Sequence, residues 1–447
     1  MAIDRRSMTR AFHPLVRCCF LLLFFLLTGG LLAATPQLQS WTTSNGARVI
    51  FVETDALPML DVRVVFDAGS ARDGELAGLA AFTNAMLTEG AGEWNADTLA
   101  ARLENRGIDM GSGSLRDMAW VSLRTLTEQP TLEVAISTLA KVLAAPRFDG
   151  DAIARVREQM LVARRQLLQK PGGIASERFY RTLYGDHPYA HPPGGTEQSL
   201  QQIGRSQLQA FHRRYYVGGN AVIAMVGAVD RKAAEQIAER VIGELPRGQH
   251  APELPQPKTV KGGQLRQVFP SSQTHILMGQ LGIRRGDPDY FPLYVGNHVL
   301  GGSSLVSILG DEVRNKRGLS YSVYSYFSAM RAAGPFVMAA QTKNDKADET
   351  LQVMRQTLRD FVQQGPSVEA LDAAKKNLVG GFPLQIANNG KIVRYIAMIG
   401  FYDLPLDWLE QVPRRIQAVT LADVRDAFLR RIDPERNITV VVGGKPE

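Results

Sequence analysis

Two hydrophobic patterns alternate along the chain, one typical of strands and the other of helices. Strict alternation of apolar and polar residues predicts strands over residues 47–53, 59–66 and 120–126. An apolar stripe at helical spacing predicts a helix over residues 76–88. The mixture of strand pairs and helix pairs indicates an α+β fold, in which helices cover one face of a mainly antiparallel sheet.

The second half of the chain repeats the pattern of the first. Residues 209–227 and 426–444 each predict an amphipathic helix followed by a turn and a β-branched strand, and Ala, Phe, Arg, Arg, Asn and Gly recur at one constant offset. Residues 132–165 and 347–380 each predict two amphipathic helices, divided by a break that contains a proline. The repeat unit is about 200 residues long, which is the size of a domain.

A segment rich in proline and glycine separates the two halves. Residues 246–263 have the composition of a semi-rigid linker. We therefore expect two homologous α/β-roll domains, over residues 35–245 and 264–447, that together form a clamshell. Clefts between domains commonly bind ligands, so we expect a ligand in the cleft of the clamshell.

The first 34 residues have the three parts of an export signal. Several arginines precede an apolar run over residues 18–27, and two alanines follow. The pattern predicts a signal peptide over residues 1–34 and a periplasmic protein, with an uncleaved membrane anchor over residues 18–34 as the alternative. Both cysteines of the chain lie in this segment, so the exported protein would contain no disulfide.

The composition is that of a folded protein, and its charge balance gives no sign of a nucleic-acid partner. The chain has 447 residues, of which 45% are hydrophobic and 21% charged, enough for two or three domains. Its formal net charge is +7, and removal of four arginines and one aspartate with the export signal lowers it by three, to +4. So small a surplus predicts no nucleic-acid partner.

Four segments of the chain carry motifs of a known family. The first is FDAGSARDGELAGLAAFTNAMLTEG at residues 66–90, and the others are LYGDHPYAHPPGGT at 183–196, LGGSS at 300–304 and EVRNKRGLSYSV at 312–323. The first resembles the strand, Gly-Ser turn and H-x-x-E-H helix of the pitrilysin/insulinase-type zinc metallopeptidases, the inverzincins. Together with the duplication, the resemblance covers nearly the whole chain after residue 34.

The positions that bind zinc in this family hold other residues here. The two histidines and the glutamate of the motif match Ala81, Ala85 and Asn84. A methyl group has no lone pair for a metal, and a neutral amide cannot act as a general base. The resemblance places the third ligand, a glutamate, near residues 162–164, where no carboxylate occurs. We therefore expect no metal and no cofactor on this chain.

No other group of residues replaces the lost metal site. His187 and His191 have the spacing of metal ligands, but the prolines around them prevent a regular helix, and the segment is interpreted as a loop. The carboxylates nearest the motif lack a histidine beside them and are interpreted as solvated charges: Asp67, Asp73, Glu75 and Glu89. The sequence also lacks a nucleophile elbow and a phosphate-binding loop.

The second half keeps two residues to which the resemblance gives a role. Residues 304–317 predict a helix, and residues 319–327 alternate as a strand. The resemblance implies that Arg314 and Tyr321 reach across the cleft, where a guanidinium and a phenol donate to peptide carbonyls and stabilise a developing oxyanion. In the structural alternative, Arg314 pairs with Asp311 or caps its helix, and Tyr321 lies in the core.

The resemblance further implies a strand edge in the first half that adds a peptide as an extra strand. Residues 108–115 match this edge, but Gly111 and Gly113 favour a flexible loop equally.

With its zinc positions lost and the Arg-Tyr pair retained, the chain resembles the non-catalytic subunit of a heterodimeric member of this family. We therefore expect a zinc-bearing sibling peptidase subunit and an unfolded peptide substrate as partners, with zinc on the sibling alone. One alternative is a homodimeric peptide-binding or scaffold protein without proteolysis. Another is an active metallopeptidase with an unrecognised site.

Overall fold

Each half of the chain builds one β-sheet from short strands. The computed structural model describes residues 36–303 and 306–444. In chain order the strands of the first half are β1 (Gln39–Thr42), β2 (Arg48–Glu53), β3 (Met59–Phe66), β4 (Gly90–Ala91), β5 (Trp94–Asn95), β6 (Asp109–Ser114), β7 (Ala119–Leu126) and β8 (Ala221–Gly227). The first sheet has the order β1-β2-β8-β3-β7-β6, and β4 and β5 form a separate two-stranded ribbon.

The second sheet repeats the order of the first. Its strands are β9 (Gly263–Gln267), β10 (Gln273–Leu281), β11 (Ser320–Phe327), β12 (Pro335–Lys343) and β13 (Ile438–Val442). The order β9-β13-β10-β12-β11 matches β2-β8-β3-β7-β6 strand for strand. Even the parallel pair recurs, because β2 runs parallel to β8 and β9 runs parallel to β13, while all other pairs are antiparallel.

The helices follow the same duplication. Those of the first half are α1 (Leu79–Met86), α2 (Ala96–Glu104), α3 (Gln129–Ala144), α4 (Gly150–Leu168), α5 (Pro171–Tyr184), α6 (Glu197–Gln202), α7 (Arg205–Tyr215) and α8 (Arg231–Ile242). Those of the second half are α9 (Tyr290–Asn297), α10 (Ala347–Gln364), α11 (Val368–Gln385), α12 (Asn389–Phe401), α13 (Trp408–Ala418) and α14 (Leu421–Arg431). Chain order pairs α1 with α9, and α3 to α7 with α10 to α14. The predicted α+β class and the duplication are confirmed.

Each half lends one helix to the sheet of the other half. Helix α12 packs on β3 and β8 of the first sheet, and helix α5 packs on β10 and β13 of the second. Residues of both halves therefore share hydrophobic cores: Ile50 and Val65 lie in one cluster with Ile396 of α12, and Phe179 of α5 lies in another with Val440. These helices close the two halves of one chain directly against each other.

The linker between the halves is hydrogen-bonded to the first half over residues 246–255. The carbonyl oxygen of Pro252 accepts from Arg72 at 2.7 Å, and that of Pro255 lies 2.9 Å from Nε2 of His187. The backbone amide of Ala251 donates to the side chain of Asn220. The proline-rich composition therefore corresponds to an extended strap that is fixed to the fold.

The predicted export signal over residues 1–34 and its alternative, a membrane anchor over residues 18–34, lie outside the described residues. Within the described part of the chain, none of the helices has both the length and the apolar character needed to cross a membrane.

Candidate functional site

The zinc-motif positions lie on α1, the first α-helix after strand β3. Ala81 and Ala85 are half-buried on one side of this helix, and Asn84 is only 2% exposed. The Asn84 amide donates to the carbonyl oxygen of Trp120 and to the Tyr216 hydroxyl, both at 3.2 Å. The position that would hold a general base is therefore a structural hydrogen-bond donor between a helix and the sheet.

Two carboxylates beside α1 are buried, so their interpretation as solvated charges is wrong. Asp73 accepts from the backbone amides of Gly78 and Ala80 at 2.7 Å and thereby satisfies two of the free N-terminal donors of α1. Asp67 forms a bidentate ion pair with Arg72 at 2.7 and 2.8 Å, and both residues are 8% exposed. These contacts position α1 and engage both oxygens of each carboxylate.

The region of the third zinc ligand also holds an ion pair. Residues 162–164 lie on α4, which packs against α1. The Arg164 guanidinium forms a bidentate ion pair with Glu177 of α5. The positively charged guanidinium of Arg164 therefore lies in the region where the family places an anionic ligand. Its ion pair with Glu177 connects α4 to α5, the helix that covers the second sheet.

No alternative metal centre is found among residues 36–303 and 306–444. In this part of the chain, no three His, Cys, Asp or Glu side chains come together as ligands. His187 accepts from the Tyr189 amide through Nδ1, its Nε2 faces the Pro255 carbonyl, and burial lowers the pKa of its ring. Because both ring nitrogens are engaged, His187 is a structural residue of a loop, as its neighbouring prolines predict.

Tyr321 projects from the surface because β11 contains a bulge. Ser320 pairs with Thr342 and Ser322 with Gln341, so Tyr321 is the extra residue between them. The Ser320 hydroxyl donates to the Gln341 carbonyl and accepts from the Ser322 amide, which stabilises the bulge. Tyr321 is 87% exposed, whereas a regular strand would place it on the buried face. The alternative of a core tyrosine is excluded.

Arg314 lies beside this tyrosine at the end of the preceding helical segment. Residues Gly310–Asn315 form a π-helical turn, a conformation that is frequent at functional sites. The guanidinium carbon lies 5.9 Å from the centroid of the Tyr321 ring. Asp311 pairs with Lys316 instead, and within the described residues Arg314 forms no ion pair. The structure brings the two predicted residues together and leaves both available to a ligand.

Both sheets end in a strand whose outer edge is unpaired in the described chain. These are β6 in the first sheet and β11, which carries Tyr321, in the second. Gly113 of β6 lies against the Trp120 ring, which a side chain at that position would meet. Its glycines therefore do not prevent a strand over Asp109–Ser114, and they allow a large side chain to pack across it. Helix α1 lies next to this edge strand.

One polar cluster has no signal in the sequence. Asp117 accepts from the hydroxyls of Tyr189 and Tyr402 and from the Arg331 amide, and it is 3% exposed. Burial raises the pKa of both tyrosines, so they remain donors. Because the partners are far apart in the chain, only the fold identifies this junction between the halves.

Comparisons with known proteins agree with this geometry. Residues 48–197 match the family described as insulinase (peptidase family M16), and residues 202–378 match the peptidase M16 inactive domain. The crystal structure of a peptidase M16 inactive domain from Pseudomonas fluorescens is 40% identical, has a TM-score of 0.89, and is matched over 92% of this chain and 98% of its own.

Some relatives of the chain are named as proteases, and another is named as a non-peptidase. The uncharacterized zinc protease YmxG of Bacillus subtilis is 23% identical over 80% of this chain and 87% of its own length. The non-peptidase homolog YmxG of Helicobacter pylori is 26% identical over 85% of this chain and 87% of its own. The chain belongs to peptidase family M16, the insulinase family, as a homologue without the family's zinc motif.

Proposed function

We propose that the protein is the substrate-binding, non-catalytic subunit of a heterodimeric peptidase of the cell envelope. Its sibling subunit carries zinc, and this chain supplies Arg314 and Tyr321 to the sibling's site. The observation that carries the proposal is the bulge that exposes Tyr321 beside Arg314. The bulge interrupts the regular pairing of the strand and thereby costs stability. A role for the exposed phenol at a site explains why the strand keeps the bulge.

The packing of the two halves supports a second chain as the other wall of the site. Helices α5 and α12 already cover the inner faces of both sheets. A cleft wide enough for an unfolded peptide is therefore assigned to the space between this chain and its sibling. A peptide in that space would add to the free edge of β6 by backbone hydrogen bonds.

Purification of the tagged chain from its own cell envelope tests the assembly. We expect a second chain of similar size, with about one zinc per pair and no zinc on this chain alone. Recovery of this chain as a metal-free homodimer would instead favour a peptide-binding or scaffold protein without proteolysis. Stoichiometric zinc on the isolated chain would contradict both assignments.

Variants of the two exposed residues test the assigned roles. In the reconstituted pair, Arg314→Ala and Tyr321→Phe should each lower kcat by about 10- to 100-fold, which corresponds to ~1.4–2.7 kcal/mol of lost transition-state stabilisation. Tyr324→Phe is a matched control, because Tyr324 is 43% exposed on the same strand and is not on the bulge. Unchanged peptide turnover in both variants would show that the roles are wrong.

A further inference from the structure

A cavity of about 630 Å³ lies among four helices of the second half. Its walls come from α9, α11, α12 and α13, which correspond to α1, α4, α5 and α6 of the first half. In the first half, α1 carries the zinc-motif positions and α4 carries the position of the third ligand. The cavity is therefore walled by the second-half counterparts of the helices that carry the lost zinc positions.

Six aromatic side chains line this cavity, together with aliphatic ones. Tyr290 and Tyr294 stack with ring centroids 5.9 Å apart, and Trp408 lies 5.9 Å from Tyr290. Phe382 and Tyr395 face them from the neighbouring helices. A volume between about 300 and 1,000 Å³ with such walls is typical of sites for small organic ligands.

Three cationic side chains line the same cavity without an acidic partner. Arg285, Lys391 and Arg394 all contribute to the walls, and no Asp or Glu does. Arg285 donates to the Tyr290 hydroxyl, and Lys391 donates to the Leu384 carbonyl. Within the described residues none of the three forms an ion pair, and the buried Nε of Arg285 has no hydrogen-bond acceptor. The cavity therefore has an excess of positive charge and of donors.

The surroundings of Arg394 do not neutralise this charge. A second cation, Arg63 of β3, acts on Arg394. The pKa of Arg63 is lowered to about 10, mainly by burial and secondly by the charge of Arg394. The Arg63 guanidinium stacks on the Trp120 ring at 4.2 Å. An anion beside Arg394 would relieve the repulsion.

We propose that this cavity binds an amphipathic carboxylate, with its apolar group on the aromatic rings and its carboxylate on the cationic side chains. The rings provide stacking surface for an aromatic or branched group. Guanidinium and ammonium groups provide charge-assisted hydrogen bonds to the carboxylate. The same chemistry occurs in the C-terminal residue of a peptide and in a free carboxylic acid.

Calorimetric titration of the full chain with N-acetylphenylalanine tests the proposal. The matched probe is N-acetylphenylalaninamide, which has the same apolar group without the charge. We expect the acid to bind at least tenfold more tightly than the amide. The double variant Lys391→Gln/Arg394→Gln should remove that preference and leave amide binding within about twofold. Arg414→Gln is the control, because Arg414 is exposed on α13 and does not line the cavity.

A second variant keeps the test independent of the charges. Met398→Trp places a larger side chain in the cavity and should abolish binding of both probes, while circular dichroism confirms the fold. A hexapeptide that ends in phenylalanine distinguishes the sources: tighter binding than the short acid indicates a peptide terminus, and weaker binding indicates a free acid. Equal affinity for acid and amide, or no binding of either, would overturn the proposal. The titration needs no sibling subunit, so its failure is separate from failure of the proposed function.

Discussion

At the scale of single residues, the former metal site is rebuilt as a structural contact. Asn84 occupies the place of the general base, yet its amide donates to Trp120 and Tyr216 in a buried setting. An amide can donate there, whereas a carboxylate would face the Trp120 carbonyl oxygen. The position has therefore become unsuitable for the residue that the family uses.

The isosteric change Asn84→Asp tests whether Asn84 has this structural role. We expect it to lower the free energy of unfolding at pH 8 by about 1–3 kcal/mol, because it buries a charge and removes two donated bonds. The buried carboxyl should have a raised pKa, so the protonated form is favoured in the folded state and the loss should shrink as the pH falls towards 5. Urea unfolding of both proteins at the two pH values provides the measurement. A loss that grows on acidification would contradict the buried geometry.

Ser320 has a corresponding role at the bulge. Ser320 is only 4% exposed. Its hydroxyl donates to the Gln341 carbonyl at 2.6 Å and accepts from the Ser322 amide at 3.1 Å. Ser320→Ala should lower the free energy of unfolding by about 1–2 kcal/mol and reduce turnover by the reconstituted pair, because Tyr321 loses its support. Ser322→Ala is the control, since Ser322 is exposed, and its effect should stay within about 0.5 kcal/mol. Equal effects of the two changes would show that the hydroxyl does not hold the bulge.

Sequence patterns predict elements better than they predict where side chains point. The alternation from Leu319 to Val323 predicts the strand β11, but it places Tyr321 on the buried face, because a bulge leaves no mark in the pattern. Asp67 looks like a surface charge in the sequence because one of its cationic partners, Arg331, lies in the other half of the chain. Both differences arise from contacts that only the folded chain brings together.

At the scale of elements, helices α5 and α12, each of which packs on the sheet of the other half, explain how the two duplicated halves are held together. The apolar stripes of α5 and α12 are visible in the sequence, but no sequence pattern says which sheet each stripe covers. Helix α12 reaches the first sheet through Gly400, where an added Cβ would meet Cγ1 of Val222 at 2.5 Å. The close approach requires glycine there.

Alanine substitutions at two helical glycines distinguish the effect of this close packing from the effect of helix propensity. Gly400→Ala should destabilise the protein by about 1–3 kcal/mol, because overpacking outweighs the gain in propensity. Gly380→Ala in α11 should instead stabilise it by about 0.5–1 kcal/mol, because no atom lies near the added Cβ. Thermal unfolding of both variants gives the comparison. Stabilisation by Gly400→Ala would mean that α12 does not pack closely on the first sheet.

At the scale of the whole molecule, the two halves depend on each other for their cores. Each sheet would expose an apolar face without the helix from the other half, and Asp117 adds a buried polar junction between them. We therefore expect residues 37–444 to unfold in a single transition, with equal calorimetric and van't Hoff enthalpies. Trp41, Trp94 and Trp120 report on the first half, and Trp408 reports on the second. The fluorescence of a Trp408→Phe variant therefore follows the first half, and that of a variant with Trp408 as its single tryptophan follows the second. The two unfolding midpoints should agree once the difference in stability between the variants is included. Tyr402→Phe should lower that midpoint for both reporters together, because it removes a bond to Asp117. Two separated transitions would mean that the halves are independent domains, and a movable cleft within one chain would then replace the cleft between two chains that the proposed function requires.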